Sequence, residues 1–268
     1  MDSRWRGDAG SASIAGAIRV RCPPVAKTEY IELGSGDLLR ILYEDRSVMA
    51  IDKPPGWMLV PVTWQKTDRN LMAALLSGIR AKDYWARSRN LKFLQNVHRL
   101  DAETSGILLF VKSHGAMRPF SHLFESREME KQYLVVVEGR PKRENWTCRL
   151  ALDKDSRQIG RMRVDPRHGK PAETEFTLLA EGLGRSLLQA RPITGRTHQI
   201  RVHAAESGCP VVGDPLYGVA VPPRREPPPL GLRSVHLSYI NPFDKRSVVI
   251  EAPTGDFLAT FGFTPPEG

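Results

Sequence analysis

Five consecutive apolar residues at 107–111 follow a short polar stretch and end at Lys112. The run is too short for a core helix and rich in strand formers, which predicts a buried strand. Residues 39–43 and 48–51 read as two further strands joined by a turn at 44–47. KPPG at 53–56 stops the second, because proline cannot donate to a ladder. Apolar residues at 71, 72, 75, 76 and 79 have helical spacing. A helix over 115–129 turns Met117, Phe120, Leu123 and Phe124 inward, and strands follow at 132–137 and 186–190. A turn at 194–195 leads into a helix from Arg196 to about 207, and strands at 232–240 and 247–251 close the sheet. On that reading His198 and Ala205 share a helix face with Arg201. The elements do not alternate as βαβ units do, which predicts an α+β fold with a mixed or mainly antiparallel sheet.

The 268 residues suit one catalytic unit at 36–268, preceded by a flexible basic arm over 1–35 that is rich in Gly, Ser, Ala and Arg. The arm reads either as a tail without function or as a segment that touches RNA. There are 39 Lys and Arg against 30 Asp and Glu, a formal charge of +9, which suits a polyanionic partner. Basic residues concentrate at 140–172, a loop-rich region with hairpin-like segments. They also interleave with Tyr84 and Trp85 at 82–92. The second cluster reads equally as a grip on phosphates and bases or as a connection with Trp85 tucked into the core. The three cysteines, Cys22, Cys148 and Cys209, are widely spaced and form no zinc pattern. They fit a reducing compartment. No apolar run approaches a bilayer span and no secretory leader is evident. A cytoplasmic monomer without metal or cofactor is the expectation.

Candidate chemistry changes this picture most at HRLDAETSG, residues 98–106. It places a His, an Arg and two acids in a polar loop fixed to the lip of the predicted strand at 107–111, an arrangement that holds reacting groups still. Alone, Arg99 and Asp101 also fit a structural surface pair. The stretch does not stand alone: PITGRTHQIRVH occupies 192–203, GDPLYG 213–218, KPPG 53–56 and EKQYL 130–134. In order and spacing these motifs resemble the RluA-type pseudouridine synthases over residues 38–254, a far more specific signal than any one of them.

The resemblance implies the pseudouridine synthase fold, a bent sheet flanked by helices with a central RNA cleft. It implies isomerisation of uridine to pseudouridine in ribosomal or transfer RNA, with the base flipped out of its stack. It assigns Asp101 as nucleophile or base and Tyr133 to stack on the loose uracil. It assigns Arg201 to a buried ion pair with Asp101, and Arg99 to the position the base vacates. His98, Thr104, Arg196 and His198 are the candidate RNA contacts; Arg196 fits a phosphate anchor at the helix start and a structural role equally. Read without the resemblance, Tyr133 is first a strand residue packed in the core. The N-terminal segment is too short and Gly-rich for an S4-type RNA-binding domain. The family's His-Pro after KPPG is absent, with Val60-Pro61 in its place. Two other readings stand beside the enzyme. One is a catalytically silent RNA-binding or chaperone module, against which the intact Asp101, Tyr133 and Arg201 speak. The other is an acid-nucleophile hydrolase, whose second carboxylate would have to be Glu103, the only close candidate, and which the net positive charge suits less well.

Overall fold

The computed structural model describes residues 27–59, 69–219 and 226–264. Strands β1 (Tyr30–Glu32), β2 (Leu38–Glu44) and β3 (Val48–Lys53) are followed by helix α1 (Leu71–Ala81) and the single-turn α2 (Tyr84–Arg87). Strands β4 (Gln95–Asn96) and β5 (Ser105–Val111) flank the loop that carries Asp101, and α3 (His114–Glu125) and β6 (Glu130–Glu138) come next. Then follow β7 (Asn145–Cys148), the short pair β8 (Leu152–Lys154) and β9 (Met162–Val164), β10 (Thr174–Gly182), β11 (Arg185–Pro192) and α4 (Gln199–Glu206). The last described elements are β12 (Leu232–Ile240), β13 (Ser247–Glu251) and α5 (Gly255–Thr260). The fold is α+β with a mixed sheet, as the periodicity predicts.

One 11-stranded sheet runs β1-β2-β3-β5-β12-β6-β11-β10-β7, with β13 added to β12 and β4 to β5; β8 and β9 form a separate hairpin. The neighbours pair antiparallel except β5 with β12, where Arg233 faces Ser105 and Ser234 faces Gly106 in a parallel register. Two antiparallel halves therefore meet at the start of β5, and the signature loop empties into that seam. Gly106 is what allows the approach. Its φ is +103°, and a Cβ there would lie 2.0 Å from the carbonyl oxygen of Ser234.

Strand β5 is apolar throughout because both its faces are covered. Leu108 and Phe110 join the core beneath α1 and α4, with Leu71, Leu75, Val135, Leu188 and Ile200. Ile107, Leu109 and Val111 join the opposite core beneath α3, with Phe120, Leu123, Leu237 and Ile250. A strand covered on both sides loses the alternation of a half-exposed one. Helix α1 begins where Asn70 accepts a hydrogen bond from the Ala73 N–H at 3.0 Å, a side-chain N-cap. Among the described residues, no helix is long and apolar enough to cross a membrane.

Three expectations change and one open alternative closes. The stretch at 30–32, expected in the flexible arm, is an edge strand of the main sheet, and Ile31 is fully buried against the core. Residues 1–26 of that arm, and the Val60-Pro61 segment, lie outside the described residues. At 82–92, Trp85 is buried and Arg89 pairs with Glu44 at 2.8 Å from a buried position, so neither can grip RNA. The helix expected from Arg196 starts three residues later, at Gln199, and His198 is its N-cap in the left-handed region with φ +54°. His198 therefore shares no helix face with Arg201.

Candidate active site

The loop before β5 is held from below by Lys53. This side chain is fully buried. Its ammonium donates to the carbonyls of Ala102 at 2.7 Å, Thr104 at 2.9 Å and Pro54 at 2.9 Å. The Gly56 N–H adds a second bond to the Ala102 carbonyl at 2.9 Å. KPPG is thus more than a strand stop: it is sewn to the residues on either side of Glu103. Burial lowers the Lys53 pKa to about 8, opposed by the acids Glu103 and Asp101.

His98 is tied into the loop itself. Its Nε2 accepts the Leu109 N–H at 3.0 Å, and its ring stacks on Phe124 with centroids 4.8 Å apart. Burial, with Lys131 nearby, pushes its pKa down to about 3. A neutral ring with its acceptor nitrogen spent on the backbone braces the loop and has no charge for a phosphate. Thr104 is also buried, and its hydroxyl finds no hydrogen-bond partner among the described residues.

Asp101 and Arg201 meet, but not as the simple pair the sequence suggests. Arg201 turns its fork to Asp214, with Nε donating to Oδ2 at 2.7 Å and Nη2 to Oδ1 at 2.8 Å. Its remaining Nη1 reaches Asp101 Oδ2 at 3.2 Å. Asp214 also accepts the N–H groups of Leu216 at 2.9 Å and Tyr217 at 3.1 Å. Its carboxylate side chain is wholly buried, whereas that of Asp101 is 21% exposed. Burial raises the Asp214 pKa, but the hydrogen bonds and charge of Arg201 outweigh it and hold the group below the usual carboxylate range. The division of labour is clear: Asp214 anchors the guanidinium, and Asp101 takes one long contact and keeps an open side. His198 approaches the same Asp101 oxygen, with Nε2 at 3.8 Å.

All eight expected site residues, His98, Arg99, Asp101, Thr104, Tyr133, Arg196, His198 and Arg201, line one cavity of about 520 Å³ at the seam of the sheet. That is the size range of small-molecule sites. Tyr133 projects from β6, opposite Ser234 of β12 and Ala190 of β11, and burial raises its hydroxyl pKa to about 12. Arg99 is exposed at the rim. Arg196 spends its Nε on the Pro171 carbonyl at 3.1 Å, which leaves the terminal nitrogens of its guanidinium for another acceptor. Glu103 is exposed and does not line the cavity. The second acid in contact with Arg201 is instead Asp214, whose motif the sequence displays without its role. A wholly buried carboxylate gripped by a guanidinium and two backbone N–H groups has no access to a substrate or water as a hydrolase's second acid or base.

The geometry joins a carboxylate with one open side, a fixed cation behind it, a buried aromatic and a pocket with basic residues at its rim. That set can attack or deprotonate a sugar while a flat base rests on the aromatic.

Comparison with known proteins identifies the family. A family model described as RNA pseudouridylate synthase matches residues 47–206. The chain is 34% identical over 230 residues to an RNA pseudouridine synthase of Zymomonas mobilis, covering 84% of this chain and 97% of that one. It is 35% identical over 209 residues to ribosomal large subunit pseudouridine synthase C of Escherichia coli, covering 74% of this chain. The chain spans 62% of the length of that second relative. Among solved structures, human RNA pseudouridylate synthase domain containing 1 superposes with a TM-score of 0.64 at 26% identity, covering 80% of this chain and 83% of that one.

Proposed function

Because the chain belongs to the RNA pseudouridylate synthase family, we propose that it isomerises uridine to pseudouridine in a structured ribosomal or transfer RNA, with Asp101 as the group that acts on the sugar. The described residues from β1 onward form its catalytic unit. The observation that carries the reading is the sharing of Arg201. Asp214 takes its fork and Asp101 takes a single 3.2 Å contact, so the exposed carboxylate is aimed without being quenched.

The target uridine leaves its stack to enter the cavity, because its sugar carbon is otherwise out of reach. The bond from N1 to C1′ breaks and uracil departs with the electron pair. Asp101 either closes an ester to C1′ as the base leaves, or takes a proton from the sugar and later returns it. The loose uracil rests on Tyr133 and turns. Its C5 then forms the new bond to C1′, displacing the ester or adding to the unsaturated sugar. The proton on C5 is lost and N1 gains one, so no electron donor or cofactor enters the balance. Arg99, at the rim, fills the space the nucleotide vacates in the RNA. Lys154, Arg157, Arg167 and Lys170, exposed along the β8–β9 hairpin and the turn after it, track the backbone of the surrounding RNA. The ribosomal target is supported by the resemblance to the E. coli protein.

The test uses total RNA from a host lacking the gene, treated with the purified protein or with Asp101→Ala, and pseudouridines mapped by chemical modification and sequencing. A site formed by the natural protein alone identifies enzyme, reacting carboxylate and target together. If neither protein yields a site while both bind RNA, the isomerase reading fails and a binding module takes its place.

A further inference from the structure

Tyr217 lies outside the set of residues that touch a substrate in the reading above, yet three contacts converge on it. Its hydroxyl accepts the N–H of Met162, the first residue of β9, at 2.7 Å. The same oxygen lies 2.9 Å from His198 Nδ1. Its ring carries the guanidinium of Arg201 at 5.2 Å and that of Arg161 at 5.5 Å from the centroid. Burial, ahead of the neighbouring charges, raises its pKa, so the phenol keeps its proton.

Hydrogen-bond bookkeeping then orders the chain of contacts. A backbone N–H only donates, so Met162 occupies an acceptor site on the Tyr217 oxygen. With the phenolic proton pointed at His198 Nδ1, that nitrogen accepts. A neutral imidazole that accepts at Nδ1 carries its proton on Nε2. That nitrogen is the one 3.8 Å from Asp101 Oδ2. The left-handed backbone of His198 is what swings its ring out of the helix and across to Tyr217.

We propose that Tyr217 is a positioning residue for the reaction at Asp101: it fixes His198 as the Nε2–H tautomer, aims that donor at the carboxylate, and ties the arrangement to the seating of the β8–β9 hairpin through Met162. The proposal rests on the reading of Asp101 as the reacting carboxylate. It adds a second donor beside Arg201 at the same Asp101 oxygen, Oδ2, and it gives the basic hairpin a path to the chemistry. Leu152, Ala172 and Val202 pack beneath the hairpin, with Met162, Val164 and Tyr217 against them, so displacement of β9 by bound RNA is felt first at the Tyr217 hydroxyl.

The experiment is long-range proton–nitrogen NMR on protein labelled at the imidazole nitrogens, with the His198 signals assigned by their loss in His198→Gln. The expected wild-type spectrum shows His198 protonated on Nε2. Tyr217→Phe, which removes only the hydroxyl, is expected to move His198 toward the Nδ1–H form and to lower kcat about tenfold with KM unchanged, the effect of one misplaced hydrogen bond. Wild-type His198 protonated on Nδ1, or a folded Tyr217→Phe with unchanged tautomer and kcat, overturns the proposal. Should Tyr217→Phe not fold, the wild-type tautomer alone decides. An active Asp101→Ala would instead sink the parent reading, and the tautomer measurement is blind to that outcome.

Discussion

Arg201 serves two carboxylates of unequal burial, and the inequality sets what each substitution does. Asp214→Asn removes the charge that holds the fork while keeping the shape. Arg201 is then free to turn both its donors on Asp101. The expected result is a fall in kcat of about 10²-fold and a loss of about 3 kcal/mol in stability, since a buried cation loses its partner. Urea denaturation and single-turnover kinetics read the two separately. His98 gives a pH signature of definite sign. Its folded pKa, near 3, lies below the ordinary histidine value of 6.5, so between these limits the unfolded chain binds the proton and the fold does not. Stability therefore falls as pH drops below 6.5, by about 1.4 kcal/mol per pH unit from this one group. Replacement by Asn, which keeps an acceptor for Leu109, is expected to flatten that part of the profile in denaturation midpoints taken from pH 7 to 4. Asp101, Tyr133 and Arg201 are legible in the sequence because their motifs travel with them. The role of Asp214 is not: GDPLYG shows an acid in a tight turn, but nothing in one dimension says which of two acids a distant Arg will grip.

At the level of elements, the runs of strand formers announce most of the sheet, and β5 above all. What escapes are short pieces whose residues look like loop. β1 is three residues in a polar stretch and is a strand only because β2 offers it an edge. α5 is six residues with no long apolar stripe. The start of α4 is hidden too, because the turn to the left-handed region at His198 leaves no mark that composition can read. Gly106 is visible as the end of a signature, but its reason is tertiary, the carbonyl of Ser234. Gly106→Ala is expected to cost more than about 4 kcal/mol, through backbone strain at positive φ and a collision that backbone cannot relieve. Soluble yield and thermal melting, compared with Gly115→Ala, where the added methyl meets open space, check this.

For the molecule as a whole, the charge of +9 becomes directional once the hairpin is placed beside the cleft. Exchanging Lys154, Arg157, Arg167 and Lys170 for Gln is expected to weaken RNA binding at every sequence. It is expected to reduce the slope of log K against log salt by about 0.7–0.9 for each phosphate that is no longer neutralised. Binding titrations at several salt concentrations test it, and an unchanged slope would remove the hairpin from the interface. The parallel seam has one more consequence, and it concerns synthesis. β12 is the strand that sits between β5 and β6, yet it is made more than a hundred residues after β5. At the usual pace of translation, roughly ten seconds pass before it emerges. Through that interval the nascent chain carries two unsatisfied strand borders, and the half-sites on either side of the gap have not yet met. The seam that makes the cleft is closed last, so a chain cut short before β12 would hold every signature motif and still have nowhere to bind a nucleotide.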